Sequence, residues 1–117
     1  MSTTHASELD RCAHICHECQ DACLTLIPHC LSRGGEHASK DHINMLLDCV
    51  AICGASHNLL HRGSSQHAET CRACAAICED CAEQCRRLDS HDEHMKHCAD
   101  ACDRCAASCR EMSGPAD

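Results

Sequence analysis

The chain has 117 residues and a formal charge of −8, and Leu, Ile, Val and Phe together supply 15 of them, about 13%, below the ~20% at which a charged chain is usually disordered. Phe, Tyr and Trp are absent whereas Cys and Ala number 16 each, so any core must be built largely of sulfur, and a free Cys is among the most buried residue types. The ten Lys and Arg are scattered among 18 acids, which leaves no basic stripe for a phosphate backbone and excludes nucleic acid as an expected partner.

Residues 1–10 carry no charged segment followed by an apolar one, and no apolar run reaches the ~18 residues of a membrane span. A soluble, cytoplasmic chain without membrane association is expected, read as one Cys-rich domain over residues 1–117. In a reducing compartment a dense Cys pattern points to metal or catalysis rather than to disulfides.

In the first segment Cys12, Cys16, Cys19 and Cys23 are separated by 4, 3 and 4 residues, and the same alternation continued gives Leu26 and Cys30. An alternation of three and four puts every member on one face of an α-helix, a heptad seam with thiols where Leu normally sits. The spacing predicts a helix over 7–31, with Ser7 and Asp10 resembling a capping box and Pro28 distorting the last turn. Gly34 and Gly35 end it.

A second helix is expected over 40–61, capped by Ser39 and carrying Cys49 and Cys53. Ile43, Leu46, Leu47 and Val50 form an apolar stripe beside its thiols. That stripe either packs on the first helix, through residues such as Ile15 and Ile27, or forms a self-association surface. The third helix, over 66–87 after Gly63-Ser64-Ser65, carries Cys71, Cys74, Cys78, Cys81 and Cys85. The fourth, over 91–112 between Asp89-Ser90 and Gly114-Pro115, carries Cys98, Cys102, Cys105 and Cys109. Four helices of similar length with short connections give an all-α, antiparallel up-down-up-down four-helix bundle with a Cys-lined interior.

Pairs of Cys three or four apart on one rigid helix do not present disulfide geometry. Sixteen in register outweigh the reading of isolated buried thiols, and a single redox motif needs one low-pKa thiol at an exposed helix start. Metal binding remains. Thiolates select Cu(I), zinc and iron in iron–sulfur clusters. Zinc and iron–sulfur sites favour ligands converging on one ion or cluster, whereas this lining is extended, and monovalent ions at about one per thiol would leave it near neutral. Storage of multiple Cu(I) ions is thus the first reading, with no enzymatic role; an iron–sulfur electron-transfer protein and a zinc or cadmium thiol buffer are the alternatives.

Extending the seams places His42 seven residues before Cys49, Met95 three before Cys98, and His91 four before Met95. In an antiparallel bundle these gather at one end with Cys30, Met45 and His94, and that end is the expected mouth. The opposite end offers Cys12, His57, His61, His67 and Met112, which makes an entrance at both ends the alternative. His5, His14, His17, His29 and His37 are expected on solvated faces or loops.

The runs Cys-x-x-x-Cys-x-x-Cys-x-x-x-Cys at 12–23, Leu-Asp-Cys-Val-Ala-Ile-Cys at 47–53, the Cys-rich stretch 74–87 and the run 98–109 resemble those of the bacterial copper storage proteins, in their cytosolic branch. The resemblance spans nearly the whole chain. It implies a bundle storing many Cu(I) ions on inward Cys, mostly through Cys-x-x-x-Cys pairs, with His or Met near one mouth and assembly into homotetramers. The chain departs from that pattern at Leu26, His42 and Met95, where Cys would be expected.

Overall fold

A computed structural model describes residues 3–114, with side chains from Ala6 onward. Four helices, α1 (Thr3–Arg33), α2 (Lys40–Arg62), α3 (His67–Leu88) and α4 (Glu93–Met112), are joined by short connections, the first containing a 3-10 turn at Gly35–Ala38. Ala, Glu, Gln, Arg and Leu fill the positions between the cysteines, and these are strong helix formers. Each helix packs on its two neighbours in the cyclic order α1, α2, α3, α4, the expected antiparallel up-down bundle, about 50 Å long by 26 and 20 Å across.

Three boundary expectations change. α1 begins at Thr3, so Ser7 lies inside the helix and forms no capping box. The helix also runs through Pro28 to Arg33. The missing proline N–H would have served the Leu24 carbonyl, and Leu24 is on an exposed face, where water can take the bond. α4 starts two residues later than expected because Asp92 is its N-cap, its carboxylate accepting from the N–H groups of His94 and Met95. Ser39 caps α2 as anticipated, accepting from His42 N–H at 3.3 Å. Gly63 closes α2 in the left-handed region, φ 68°, with its N–H turned back on Leu59 and Leu60. Pro115 and the side chain of His5 lie outside the described residues.

The apolar stripe of α2 is divided between two environments. Leu46 is fully buried and Leu47 is exposed, as are Leu24 and Leu31 on α1; Ile43 and Val50 are half-buried. Gln20 of α1 donates to the Val50 carbonyl at 3.2 Å, and the absence of a side chain at Gly54 makes room for it, since a Cβ there would sit 2.5 Å from the Gln20 amide nitrogen. By length and composition alone α2 would pass as a membrane span. In the bundle one face of it carries His42, Leu46, Cys49, Cys53, Ser56 and Leu60 into the interior.

Candidate metal centre

All sixteen cysteines are free and buried. The seams bring them together from four helices, so that successive groups share members along the axis. Cys12, Cys71 and Cys109 form the outermost triad; Cys16, Cys74, Cys105 and Cys109 follow, then Cys19, Cys53, Cys78 and Cys105, then Cys19, Cys23, Cys49 and Cys102, then Cys23, Cys81, Cys98 and Cys102, each set with its sulfurs within 4.8 Å of one another. Individual contacts are shorter: Cys16 to Cys109 is 3.5 Å, Cys23 to Cys98 3.6 Å, and Cys53 to Cys74 and to Cys78 3.7 Å. With metal–sulfur bonds of about 2.3 Å, two sulfurs on one ion stand between about 3.8 Å and about 4.6 Å apart. The lining is therefore spaced to be bridged by ions with little movement of the helices.

Burial, together with hydrogen bonds between neighbouring thiols, decides the resting state of these thiols. It pushes Cys30 up to about 11, with the nearby Asp92 and Cys98 charges adding and Arg33 opposing. Cys23 and Cys78 are raised as well, because their contacts stabilise ionisation of neighbouring thiols rather than their own, and burial acts in the same direction. So many like charges in a low-dielectric interior would be severely penalised. Hydrogen bonds from neighbouring thiols favour ionisation at Cys12, Cys19, Cys49, Cys74, Cys98 and Cys105, and the like-charge penalty limits how many of these can ionise together.

Towards the end formed by the C-terminus of α1 and the N-terminus of α2 the lining changes character. Leu26 and Leu46, both buried, take seam positions, and beyond them Cys30 lies 3.4 Å from His42 Nε2 and 3.7 Å from Met95 Sδ. His42 is fixed by donating from Nδ1 to Gln84 Oε1 at 3.0 Å, which leaves Nε2 as the lone-pair nitrogen facing the thiol. Burial lowers the His42 pKa and so keeps the ring neutral. A thiol, an imidazole and a thioether, all soft or borderline donors, thus meet in one buried place.

The other three residues expected at this mouth do not join them. His91 is exposed in the turn before α4, because the cap at Asp92 leaves it outside the helix. His94 is exposed too, its ring stacked on His29 at 4.0 Å. Met45 is half-buried beside the core. Conversely, His29 and His37 are less solvated than expected. Asp92, whose side chain is 2% exposed, accepts from His29 at 2.8 Å and from Arg33 at 2.9 Å and lies 3.5 Å from His37. Burial would raise its pKa, but the hydrogen bonds from His29 and from the N–H groups of Met95 and His94 prevail and hold it down to about 2. One carboxylate thereby ties the residue before Cys30 to the start of the helix carrying Met95. The cap signal of Asp92 was present in the sequence; its long-range partners were not.

At the opposite end His57 donates from Nδ1 to the Ala13 carbonyl at 2.9 Å and His67 from Nδ1 to the Ser64 carbonyl at 2.8 Å, while His61 is exposed and Met112 half-buried. The Cys12 triad is the donor set there. Ser56 is the interior polar group that reasoning from ligand types passed over. It is fully buried, it continues the register of Cys49 and Cys53, and its hydroxyl has no hydrogen-bond partner among the described residues.

A family model described as copper storage protein matches residues 5–114. An uncharacterized cysteine-rich protein of Bacillus subtilis (strain 168), YhjQ, is 34% identical over 83 residues, which cover 71% of this chain and 76% of that protein. Among solved structures, the Cu(I)-bound copper storage protein BsCsp3 is 31% identical, with a TM-score of 0.84 over 92% of this chain and 99% of that one. A cytosolic copper storage protein from Streptomyces lividans, solved with five coppers, is 27% identical, with a TM-score of 0.88 over 99% and 100% of the two chains.

Proposed function

The chain belongs to the copper storage protein family, and we propose that it is a cytoplasmic Cu(I) store that holds its ions on the inward thiolates of one bundle domain, without enzymatic activity. The observation that carries the reading is the continuity of the lining: four-thiol groups sharing sulfurs along the axis suit a soft monovalent cargo bound in number rather than a single structural ion. The proposed ligands are Cys12, Cys16, Cys19, Cys23, Cys30, Cys49, Cys53, Cys71, Cys74, Cys78, Cys81, Cys85, Cys98, Cys102, Cys105 and Cys109. His42 and Met95 join Cys30 at the mouth. His91 and His94 enter only as surface groups near it.

Assembly into a homo-oligomer, a tetramer by family resemblance, is part of the same proposal. Leu24 and Leu31, seven residues apart on α1, and Leu47 on α2 are each about half exposed, and a second copy of the chain is the occupant that would cover them.

Anaerobic titration with Cu(I) against a chromophoric Cu(I) ligand tests the storage reading. Uptake on the order of one ion per Cys is expected; saturation at one or two ions per chain overturns it. An iron–sulfur protein would be coloured and contain iron, and zinc or cadmium held on the thiols would be displaced completely by Cu(I).

A further inference from the structure

Three histidines lie together on the outside of the bundle, away from both the thiol lining and the mouth. His57 of α2 is half-buried and His17 of α1 and His61 of α2 are exposed. The ring of His57 is 5.1 Å from that of His17 and 5.7 Å from that of His61, to which it is nearly parallel at 12°. No role in the copper lining accounts for them, since the adjoining Cys16 and Cys53 point into the interior and are fully buried.

The hydrogen bonding of the central ring is informative. His57 Nδ1 is 2.9 Å from the Ala13 carbonyl oxygen, and a carbonyl only accepts, so Nδ1 carries the proton and Nε2 the free lone pair. Donation from one ring nitrogen to a backbone carbonyl is the support that metal-ligating histidines commonly have. His61 follows four residues later on the same helix, the spacing that sets two imidazoles side by side as a bidentate pair. His17 reaches the same place from the neighbouring helix. Imidazole is a borderline donor suited to zinc-class divalent ions, whereas the thiol lining is soft.

We propose that His17, His57 and His61 form an external site for a zinc-class divalent cation, complete within one chain and loaded directly from solvent. Its chemistry separates it from the store: Cu(I) fills the thiols, while the divalent ion takes the imidazoles whether or not the thiols are full.

The test uses chain first loaded with Cu(I) under anaerobic conditions, so that the thiols are occupied, and then titrated with zinc(II) by calorimetry. Wild-type protein is expected to bind one zinc per chain, and His61→Gln, which alters an exposed residue, to weaken that binding at least tenfold with Cu(I) capacity and helical circular dichroism unchanged. His57→Gln should do the same, and His91→Gln should not. Absence of zinc uptake by the wild type, or equal uptake by the His57→Gln/His61→Gln double variant, overturns the site. Copper uptake is read before zinc is added, and wild type and variants are compared at whatever copper occupancy is reached, so failure of the storage function and failure of the external site give different results.

Discussion

The Cys30 thiol lies 3.4 Å from Nε2 of His42, where the α1 and α2 seams meet beyond their last paired sulfurs. Because Gln84 holds the other ring nitrogen at 3.0 Å, the imidazole is aimed before any metal arrives. If this place receives Cu(I) and passes it inward, replacing His42 by Ala together with Met95 by Leu should slow loading several-fold while most of the capacity survives, since the long run of thiols is untouched. Stopped-flow transfer from a chromophoric Cu(I) complex measures the rate. His91→Ala alone should leave it unchanged; slowing by that variant would relocate the mouth to the surface turn.

The register of the seams makes His42 and Met95 legible in the sequence, because a buried position three or seven residues from a Cys is fixed by helix geometry alone. His91 satisfied the same arithmetic and still falls outside, because Asp92 caps α4 and the helical period does not extend past a cap. The contacts of Asp92 with His29, Arg33 and His37 join residues some sixty positions apart, and no local periodicity encodes such a meeting. Ser56 was visible in the register and passed over, since Ser is not a residue type that selects copper.

Asp92 predicts a stability effect separable from copper chemistry. Asp92→Ala removes an N-cap and the acceptor of His29 and Arg33, and should destabilise the apo protein by about 1–3 kcal/mol in urea unfolding. Asp92→Asn keeps an equally good cap and should recover most of that loss. If Asn were as damaging as Ala, the charge rather than the cap would be what matters.

Ser56 and Leu26 both occupy seam positions without a thiol, and they should respond to Cys in opposite ways. The Ser56 hydroxyl is buried without a partner among the described residues, a state that costs about 1–3 kcal/mol, so Ser56→Cys should raise apo stability by about 1 kcal/mol and add an ion or part of one to the Cu(I) capacity. Leu26→Cys should also add capacity, but it removes buried volume and should lower apo stability by about 1–3 kcal/mol. Paired urea midpoints and copper titrations decide both. Loss of stability in Ser56→Cys would show that the hydroxyl is satisfied, contrary to the geometry.

Protonation of the lining sets the pH dependence of storage. Cys30 is pushed up to about 11 by burial, Cys23 and Cys78 are raised as well, and a thiol with a raised pKa is protonated near neutrality, so each such thiol must release a proton when it binds metal as a thiolate. Cu(I) loading at pH 7 in weak buffer should acidify the solution by on the order of one proton per thiolate formed. The sign for affinity follows: protons compete with the metal, so lowering the pH weakens binding, and raising it towards 11 strengthens binding. Loading without proton release would mean that the resting lining is already ionised.

Copper should also decide how stable the fold is. The interior that would hold Leu and Phe in an ordinary bundle holds thiols and Ala, so the apo protein rests on a core with little large apolar volume, and metal bound to the folded state alone adds to it by mass action. One site at a hundredfold excess over its Kd contributes about 2.7 kcal/mol, which for a domain of this size is a rise in Tm on the order of 10 °C, and further sites add more. Thermal unfolding followed by circular dichroism should therefore move upward stepwise as Cu(I) equivalents are added, with the largest increments while the four-thiol groups fill. A Tm that stays constant through loading would place the copper on thiols equally available in the unfolded chain, and would break the link between the shared-sulfur lining and the store.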